Sequence, residues 1–134
     1  MTQTILALLA ALALAPAAWS QDLVLGQSVA LSGPNADIGR DMRDGALAVF
    51  AKANATHALP FRITLVTLDN ANSRQRAAEN TQELIAKQGA VALFGYNSAS
   101  TSLDALPLAA KNGLLFFAPF SGASALRSHP NRSE

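Results

Sequence analysis

The feature of this sequence that most constrains its fold is a repeated order of short apolar segments and amphipathic helical segments. Four segments rich in apolar or β-branched residues are predicted to be strands: residues 22–31, 61–68, 90–94 and 114–117. Helical periodicity follows each of the first three, and the stretch PFSGASAL begins a fourth helix after the last. Apolar strands that alternate with helices predict the α/β class, with a doubly wound parallel sheet and helices on both faces.

The helices are predicted from apolar spacing and from capping residues. The first covers residues 39–54 and packs an apolar stripe on the sheet, formed by Met42, Ala46, Val49, Phe50 and Ala53. The second begins at Asn72 as its N-cap and ends before Gly89, a left-handed C-terminal residue. Thr101 and Asp104 are alternative N-caps of the third. With Thr101 as the cap, Pro107 costs a hydrogen bond, whereas with Asp104 it falls among the unpaired donors of the first turn.

Composition and charge exclude several classes of function. The chain has 134 residues, of which half are hydrophobic and 14% charged, a composition typical of one folded domain. The net charge is +1 and the basic residues are scattered, so no nucleic-acid partner is predicted. Cysteine is absent, and the two histidines, His57 and His129, have no partners at metal-ligand spacing. The sequence therefore predicts no disulfide, no metal site and no cofactor.

The first twenty residues have the character of an export signal. The stretch MTQTILALLAALALAPAAWS has no charged side chain, and its apolar run from Ile5 to Ala15 is shorter than the ~20 residues that a membrane span needs. The sequence from Ala18 to Ser20 fits the small-x-small cleavage pattern. We predict a signal peptide over residues 1–20, cleaved between Ser20 and Gln21. The mature domain over residues 21–134 would then lie outside the cytoplasm, without stable membrane insertion.

Three loops rich in small and hydroxyl residues are predicted to meet at one edge of the sheet. Ligands of a doubly wound sheet lie beyond the carboxyl ends of the strands, where the strand order reverses. With the order 2-1-3-4, residues 32–34, 95–100 and 119–122 share that edge. Two of these loops lead into helix N-termini, which suit a carboxylate such as that of an amino acid. The same residue types are common in plain turns, so a pocket and a set of turns are both compatible with the pattern.

Catalytic serine chemistry and phosphate binding are alternatives for the stretch LFGYNSASTSLDALP, residues 93–107. The nucleophile pattern G-x-S-x-G is absent, and His57 is placed at the opposite end of the sheet from the serines. The glycine patterns of phosphate loops are absent as well. Asp69, at the end of the second strand, is interpreted as a turn or cap residue. These observations do not favour an enzyme.

Three stretches resemble the N-terminal lobe of the type I periplasmic binding proteins, in particular the leucine/isoleucine/valine-binding branch, whose members are substrate-binding subunits of ABC importers. They are VALSGPNADIGRDMRDGALAVF, LVTLDNANSRQRAAENTQELI and ALFGYNSASTSLDALPLAAKNGLLFFAPFSGASALR, within residues 23–127. The resemblance implies a small solute, often an amino acid, bound in a cleft between two lobes that close like a hinge. It also implies a periplasmic location, importer permease subunits as partners, and no bond made or broken by the protein.

The resemblance implies which residues of this lobe contact the ligand. They lie in the loops after the first, third and fourth strands: Ser32, Ile38, Tyr96, Asn97, Ser98, Ala99, Ser100, Phe120, Ser121 and Gly122. Similar proteins often have G-T or S-S where this chain has Ser98-Ala99, so one hydroxyl donor is moved or missing. The G-G-x-x-G turn that is common before the second strand is replaced by NATHALPFR.

The second lobe of such proteins has no counterpart in these residues. We therefore expect an incomplete first lobe, a truncated fragment whose cleft has one wall and which is incompetent to bind its ligand alone. The edge of the last strand is expected to be exposed, and exposed edges favour aggregation. Two alternatives stay open: the ligand-sensing domain of a signalling receptor with the same fold, and an enzyme on a flavodoxin-like or hydrolase-like sheet.

Overall fold

The computed structural model describes residues 22–128, in which strands and helices alternate as predicted. The elements are β1 (Asp22–Val29), α1 (Ala36–Ala55), β2 (Arg62–Asp69), α2 (Arg74–Ala86), β3 (Ala92–Phe94), α3 (Ala99–Lys111), β4 (Leu115–Phe117) and α4 (Ser124–Ser128). Strand bounds differ from the predicted ones by one or two residues, and α1 begins at Ala36, three residues before its predicted start. The predicted signal peptide lies outside the described residues.

The four strands form one parallel sheet in the predicted order, β2-β1-β3-β4. β1 pairs with β2 along its whole length, from Asp22 opposite Arg62 to Val29 opposite Asp69. β2 lies on one side of β1, and β3 and β4 lie on the other side. Right-handed crossovers therefore place α1 on one face of the sheet and α2 and α3 on the other face. The strand order reverses between β1 and β3, and a sheet of this kind binds its ligand in the crevice at the carboxyl ends of these two strands.

The main hydrophobic core lies between the sheet and the helices α2 and α3. It is formed by Leu84, Ala90, Leu93, Tyr96, Ala105, Leu106, Ala109 and Phe116. The Tyr96 ring meets Phe116 edge-on, with ring centroids 5.1 Å apart. The Tyr96 hydroxyl lies 2.8 Å from the Thr81 hydroxyl, which itself donates to the Ala77 carbonyl oxygen at 2.6 Å. Tyr96 is therefore the donor to Thr81, and burial raises the pKa of Tyr96 well above its ordinary value.

We expect Tyr96→Phe to lower the free energy of unfolding by about 1 kcal/mol, because it removes one buried hydrogen bond and keeps the ring contacts. Urea denaturation of Tyr96→Phe, Thr81→Val and the double variant measures the coupling between the two hydroxyls. Independent, additive losses from the two single variants would contradict a direct bond.

The face covered by α1 is packed less completely. The Phe94 ring contacts Phe50 and Phe117, with ring centroids 5.8 and 5.1 Å away. Val49, predicted to belong to the buried stripe of α1, is 64% exposed, so this part of the prediction is wrong. Val49 lines an open space together with Phe94 and Phe117, and nothing in residues 22–128 fills it. This space is an apolar groove of about 480 Å³ between α1 and the strands β3 and β4.

The helix caps differ from the predicted ones. Ser73 is the N-cap of α2 and accepts from the Arg76 N–H, whereas Asn72, one residue earlier, has a φ of +61° and belongs to the preceding turn. The N-cap of α3 is Ser98, not Thr101 or Asp104. These two N-cap predictions are wrong, because several adjacent residues can cap and the loop path decides among them.

The structure also places three other residues that the helix predictions named, which are Pro107, Asp104 and Gly89. Pro107 lies inside α3. Asp104, which is not a cap, accepts two hydrogen bonds from the Arg74 guanidinium at 2.7 and 2.5 Å. This pair joins the start of α2 to α3. Gly89 follows α2 with a φ of +68°, so its predicted left-handed conformation is confirmed.

Candidate ligand-binding site

The loops after β3 and β4 form one surface at the carboxyl edge of the sheet. The Gly95 N–H donates to the Phe117 carbonyl oxygen at 3.1 Å, and the Phe120 N–H donates to the Tyr96 carbonyl oxygen at 2.8 Å. The buried side chain of Gln27, in β1, donates to the Gly95 carbonyl oxygen at 3.3 Å. Backbone and side-chain bonds therefore hold these two loops against each other and against β1.

Ser98 organises the loop after β3 and the first turn of α3. Its carbonyl oxygen accepts from the N–H and the hydroxyl of Ser102, at 3.0 and 2.6 Å, and its hydroxyl caps the Thr101 N–H at 3.5 Å. The Ser98 and Ser100 hydroxyls lie 2.9 Å apart. Within residues 22–128, the N–H groups of Ala99 and Ser100 have no acceptor, as expected in a first helical turn. This helix end presents two free N–H donors, a hydroxyl pair and the positive end of the helix dipole.

Asn97 adds an acceptor beside these donors. Its side-chain oxygen is buried and has no hydrogen-bond partner among the described residues. Buried polar atoms are nearly always hydrogen-bonded, and leaving one unpaired costs about 1–3 kcal/mol. An N–H group of a ligand or a water molecule would satisfy this oxygen.

The loop after β4 contributes an exposed aromatic ring. Phe120 is 61% exposed, and among the large hydrophobic residues of the described part of the chain only Val49 is more exposed. The Ser121 hydroxyl oxygen accepts from the Ala123 N–H at 3.2 Å, and the Gly122 carbonyl oxygen accepts from Arg127 at 3.1 Å. The loop thus places an apolar surface next to the polar end of α3.

Asp69, the last residue of β2, holds the loop after β1. Its carboxylate accepts from the N–H groups of Leu31, Ser32 and Ala71, at 2.9, 3.3 and 2.8 Å, and from the Ser32 hydroxyl at 2.6 Å. Burial by itself would raise the pKa of Asp69, but these hydrogen bonds together lower it to about 2. The interpretation of Asp69 as a turn residue is confirmed. The Ser32 hydroxyl hydrogen is engaged, so Ser32 offers a ligand only an acceptor.

Nine of the ten residues implied by the resemblance are at least partly accessible on these loops or on the first turn of α1, where Ile38 is 43% exposed. Their contact with a ligand stays a prediction. The exception is Tyr96, whose side chain is fully buried in the core, so that only its backbone lies at the edge. Sequence reasoning missed Gln27 and Thr67, two polar residues inside strand segments that are otherwise mostly apolar. The glutamine is a signal that could have identified Gln27, because a buried side-chain amide needs hydrogen-bond partners, and Thr67 is one of these partners.

The described residues supply neither a metal site nor an imidazole base at this edge of the sheet. Within residues 22–128, no group of acidic residues and histidine is arranged to hold a metal ion, and no helix is long and apolar enough to cross a membrane. His57 follows α1 and precedes β2, at the amino edge of the sheet. The serines of the loop after β3 therefore have no imidazole base beside them in this part of the chain.

The family model described as periplasmic binding protein matches residues 23–132. The chain is similar to a possible leucine/isoleucine/valine-binding protein from Rhodopirellula baltica, with 36% identity and a TM-score of 0.81 over 87% of this chain and 32% of that chain. A substrate-binding periplasmic protein from Ralstonia solanacearum has 25% identity and a TM-score of 0.76 over 81% of this chain and 32% of that chain. No curated protein matches significantly. The chain spans about a third of the length of these two solved structures.

The fold also occurs in a branched-chain amino acid transporter substrate binding protein from Streptococcus pneumoniae, solved in complex with isoleucine. Its identity to this chain is 24% and its TM-score is 0.67. The similar region covers 72% of this chain and 28% of that chain.

Proposed function

The chain belongs to the periplasmic binding protein family, and we propose that its carboxyl edge forms one wall of a cleft for a small solute that carries a carboxylate, such as an amino acid. The observation that carries this proposal is the N-terminus of α3. There the free N–H groups of Ala99 and Ser100 converge with the hydroxyls of Ser98 and Ser100. Helix N-termini of this kind bind anions, because unpaired donors and the dipole act together. The family consists of binding proteins, not of enzymes.

Two neighbouring features suit the rest of such a solute. The exposed ring of Phe120 offers an apolar surface, and the unpartnered side-chain oxygen of Asn97 can accept from an ammonium or amide group. An α-amino acid with an apolar side chain matches the donors, the acceptor and the ring together. Two similar proteins support this ligand class: one is a possible leucine/isoleucine/valine-binding protein, and the other was solved in complex with isoleucine.

We also propose that residues 1–20 export the chain and that the solute is delivered to the permease subunits of an ABC importer. The uncharged leader and the family support this. N-terminal sequencing of the exported protein is expected to find Gln21 as the first residue. A mature protein that retains Met1 would contradict cleavage.

The solute class is tested by NMR titration of the isotopically labelled chain with three compounds. L-isoleucine has a carboxylate and an ammonium group, benzoate has only the carboxylate, and 2-methylbutylamine has only the amine. We expect the Ala99 and Ser100 amides to shift most with isoleucine, less with benzoate and not with the amine. Because the described residues form one wall, the dissociation constant is expected to be millimolar or weaker. A micromolar constant would contradict the single wall, and unmoved amides with isoleucine would contradict the ligand class.

We expect Ser98→Ala to weaken isoleucine binding about 3- to 10-fold, because it removes one hydroxyl donor, worth about 1 kcal/mol. Ser73→Ala is the matched control. Both serines are N-caps, so each variant loses about 1 kcal/mol of stability, but Ser73 lies outside the proposed site. The same titration measures both variants. Equal weakening by the two would assign the effect to stability and not to the site.

A further inference from the structure

Gln27 is a fully buried amide near the carboxyl end of β1. Its side-chain oxygen accepts from the Thr67 hydroxyl, in β2, at 2.9 Å. Its side-chain nitrogen donates to the Gly95 carbonyl oxygen, directly after β3, at 3.3 Å. One side chain therefore links three neighbouring strands at the edge where the proposed site lies. A buried amide is tolerated because both of its ends are hydrogen-bonded.

Gly95 is the residue at which the chain leaves β3 and enters the loop. Its φ of +63° lies in the left-handed region, which favours glycine. A Cβ atom at this position would lie 3.0 Å from the Gln27 side-chain nitrogen. Its N–H is held by the Phe117 carbonyl oxygen and its carbonyl oxygen by Gln27. The course of the loop from Asn97 to α3 begins from this doubly anchored residue.

We propose that Gln27 is a positioning residue for the ligand loop: through Gly95, it sets the orientation of the Ala99 and Ser100 N–H groups. This inference rests on the proposed function, in which those N–H groups bind the solute carboxylate. Gln27 itself is fully buried, so its replacement acts on binding only through its neighbours, and of its two hydrogen-bond partners Gly95 is the one that leads into the ligand loop.

Gln27→Glu provides a switchable test. A neutral glutamic acid donates its O–H to the Gly95 carbonyl oxygen and still accepts from Thr67, whereas the carboxylate places an oxygen with no hydrogen against that carbonyl. The hydrogen-bond partners of the Gln27 side chain, Thr67 and Gly95, are not ionisable, so a pH dependence that this variant shows and the native chain does not belongs to the introduced carboxyl. We expect its Ala99 and Ser100 amide shifts, measured without ligand, to match the native shifts at pH 4.5 and to diverge at pH 8. Isoleucine affinity is expected to fall at least 5-fold at pH 8 and to recover at pH 4.5.

Ser28→Ala is the matched control, because it lies next to Gln27 in β1. The Ser28 hydroxyl accepts from Asn80 at 3.2 Å and from Asn70 at 3.4 Å, so the variant loses two polar contacts, neither of which involves Gly95. We expect it to leave the Ala99 and Ser100 amides unmoved at both pH values. Should Gln27→Glu unfold at pH 8, Thr67→Val replaces it, because loss of the Thr67 hydrogen bond loosens the Gln27 side chain and shifts the same amides.

The inference would be overturned if the Ala99 and Ser100 amides kept their native positions in Gln27→Glu at pH 8 while carbon-13 NMR shows the introduced carboxyl to be ionised. Thr67→Val replaces this variant also where that carboxyl stays neutral, and unmoved amides in Thr67→Val would then overturn the inference. It would also be overturned if Ser28→Ala moved them equally. The amide shifts are measured without ligand, so they test Gln27 even if isoleucine does not bind the native chain. Absence of isoleucine binding would instead count against the proposed function.

Discussion

Gly39→Ala is expected to lower the free energy of unfolding by about 3 kcal/mol or more. Gly39 is the fourth residue of α1 and is buried against the end of β1. A Cβ atom there would lie 1.9 Å from the Ala30 carbonyl oxygen and 2.8 Å from the Ala30 carbonyl carbon. Both are backbone atoms and cannot rotate away, so α1 must shift as a unit. Such a shift opens contacts along the close-packed interface between α1 and the sheet.

Gly45→Ala is the matched control, because it adds the same methyl group to the same helix. No atom lies within 4 Å of a Cβ at Gly45. Alanine is the better helix former, so this variant is expected to be neutral or to gain up to ~1 kcal/mol. Urea denaturation followed by circular dichroism measures both variants. A loss below about 1 kcal/mol for Gly39→Ala would contradict the close approach of α1 to Ala30.

The strand order and the faces of the helices could be predicted from sequence because they follow from local patterns and from the handedness of crossovers. Apolar segments such as 90–94 are recognisable one at a time, and alternation with helices decides the parallel arrangement. The exposure of Val49 could not be predicted in this way. Helical spacing shows which residues share a side of α1, whereas burial depends on what packs against that side.

The loops of the candidate site could be located from sequence, but the contacts that hold them could not. The Gln27 and Gly95 pair is separated by 68 residues, and the Ser32 and Asp69 pair by 37. No local pattern pairs residues so far apart. Tyr96 illustrates the limit at single-residue scale. It stands in the predicted ligand loop, yet the chain directs its side chain to Thr81 in the core.

Asp69→Asn is expected to lower the free energy of unfolding by about 2 kcal/mol at pH 7. The Asp69 side chain is 28% exposed and accepts hydrogen bonds from two backbone N–H groups of the loop after β1 and from the Ser32 hydroxyl. An asparagine keeps one side-chain oxygen, and its NH₂ group would face donors. The loop after β1 would then lose its attachment to β2.

The pH dependence of stability separates Asp69 from a general effect of the substitution. The unfolded carboxyl has its ordinary pKa of 3.8, and the folded pKa is about 2. A lowered folded pKa stabilises the fold fully above the unfolded pKa, and this contribution is lost as the pH falls from about 4 toward 2. We expect the native chain to lose this stability over that interval, and we expect the free energy of unfolding of Asp69→Asn to fall less over the same interval. Asp104, whose pKa is also lowered by its hydrogen bonds with Arg74, contributes equally to both proteins and cancels in the difference.

Two further variants locate the effect at the loop. Asp41→Asn removes an exposed carboxylate of α1 and is expected to change the free energy of unfolding at pH 7 by less than about 0.5 kcal/mol. Ser32→Ala removes only the hydroxyl donor, so it should bring the Asp69 pKa part of the way back toward 3.8, as followed by carbon-13 NMR of the carboxyl group. If Asp69 titrates near 3.8 in the native chain, its carboxylate does not hold Leu31 and Ser32 in solution. The loop after β1 would then be free to move, and this side of the proposed cleft would have to be ordered by the solute itself.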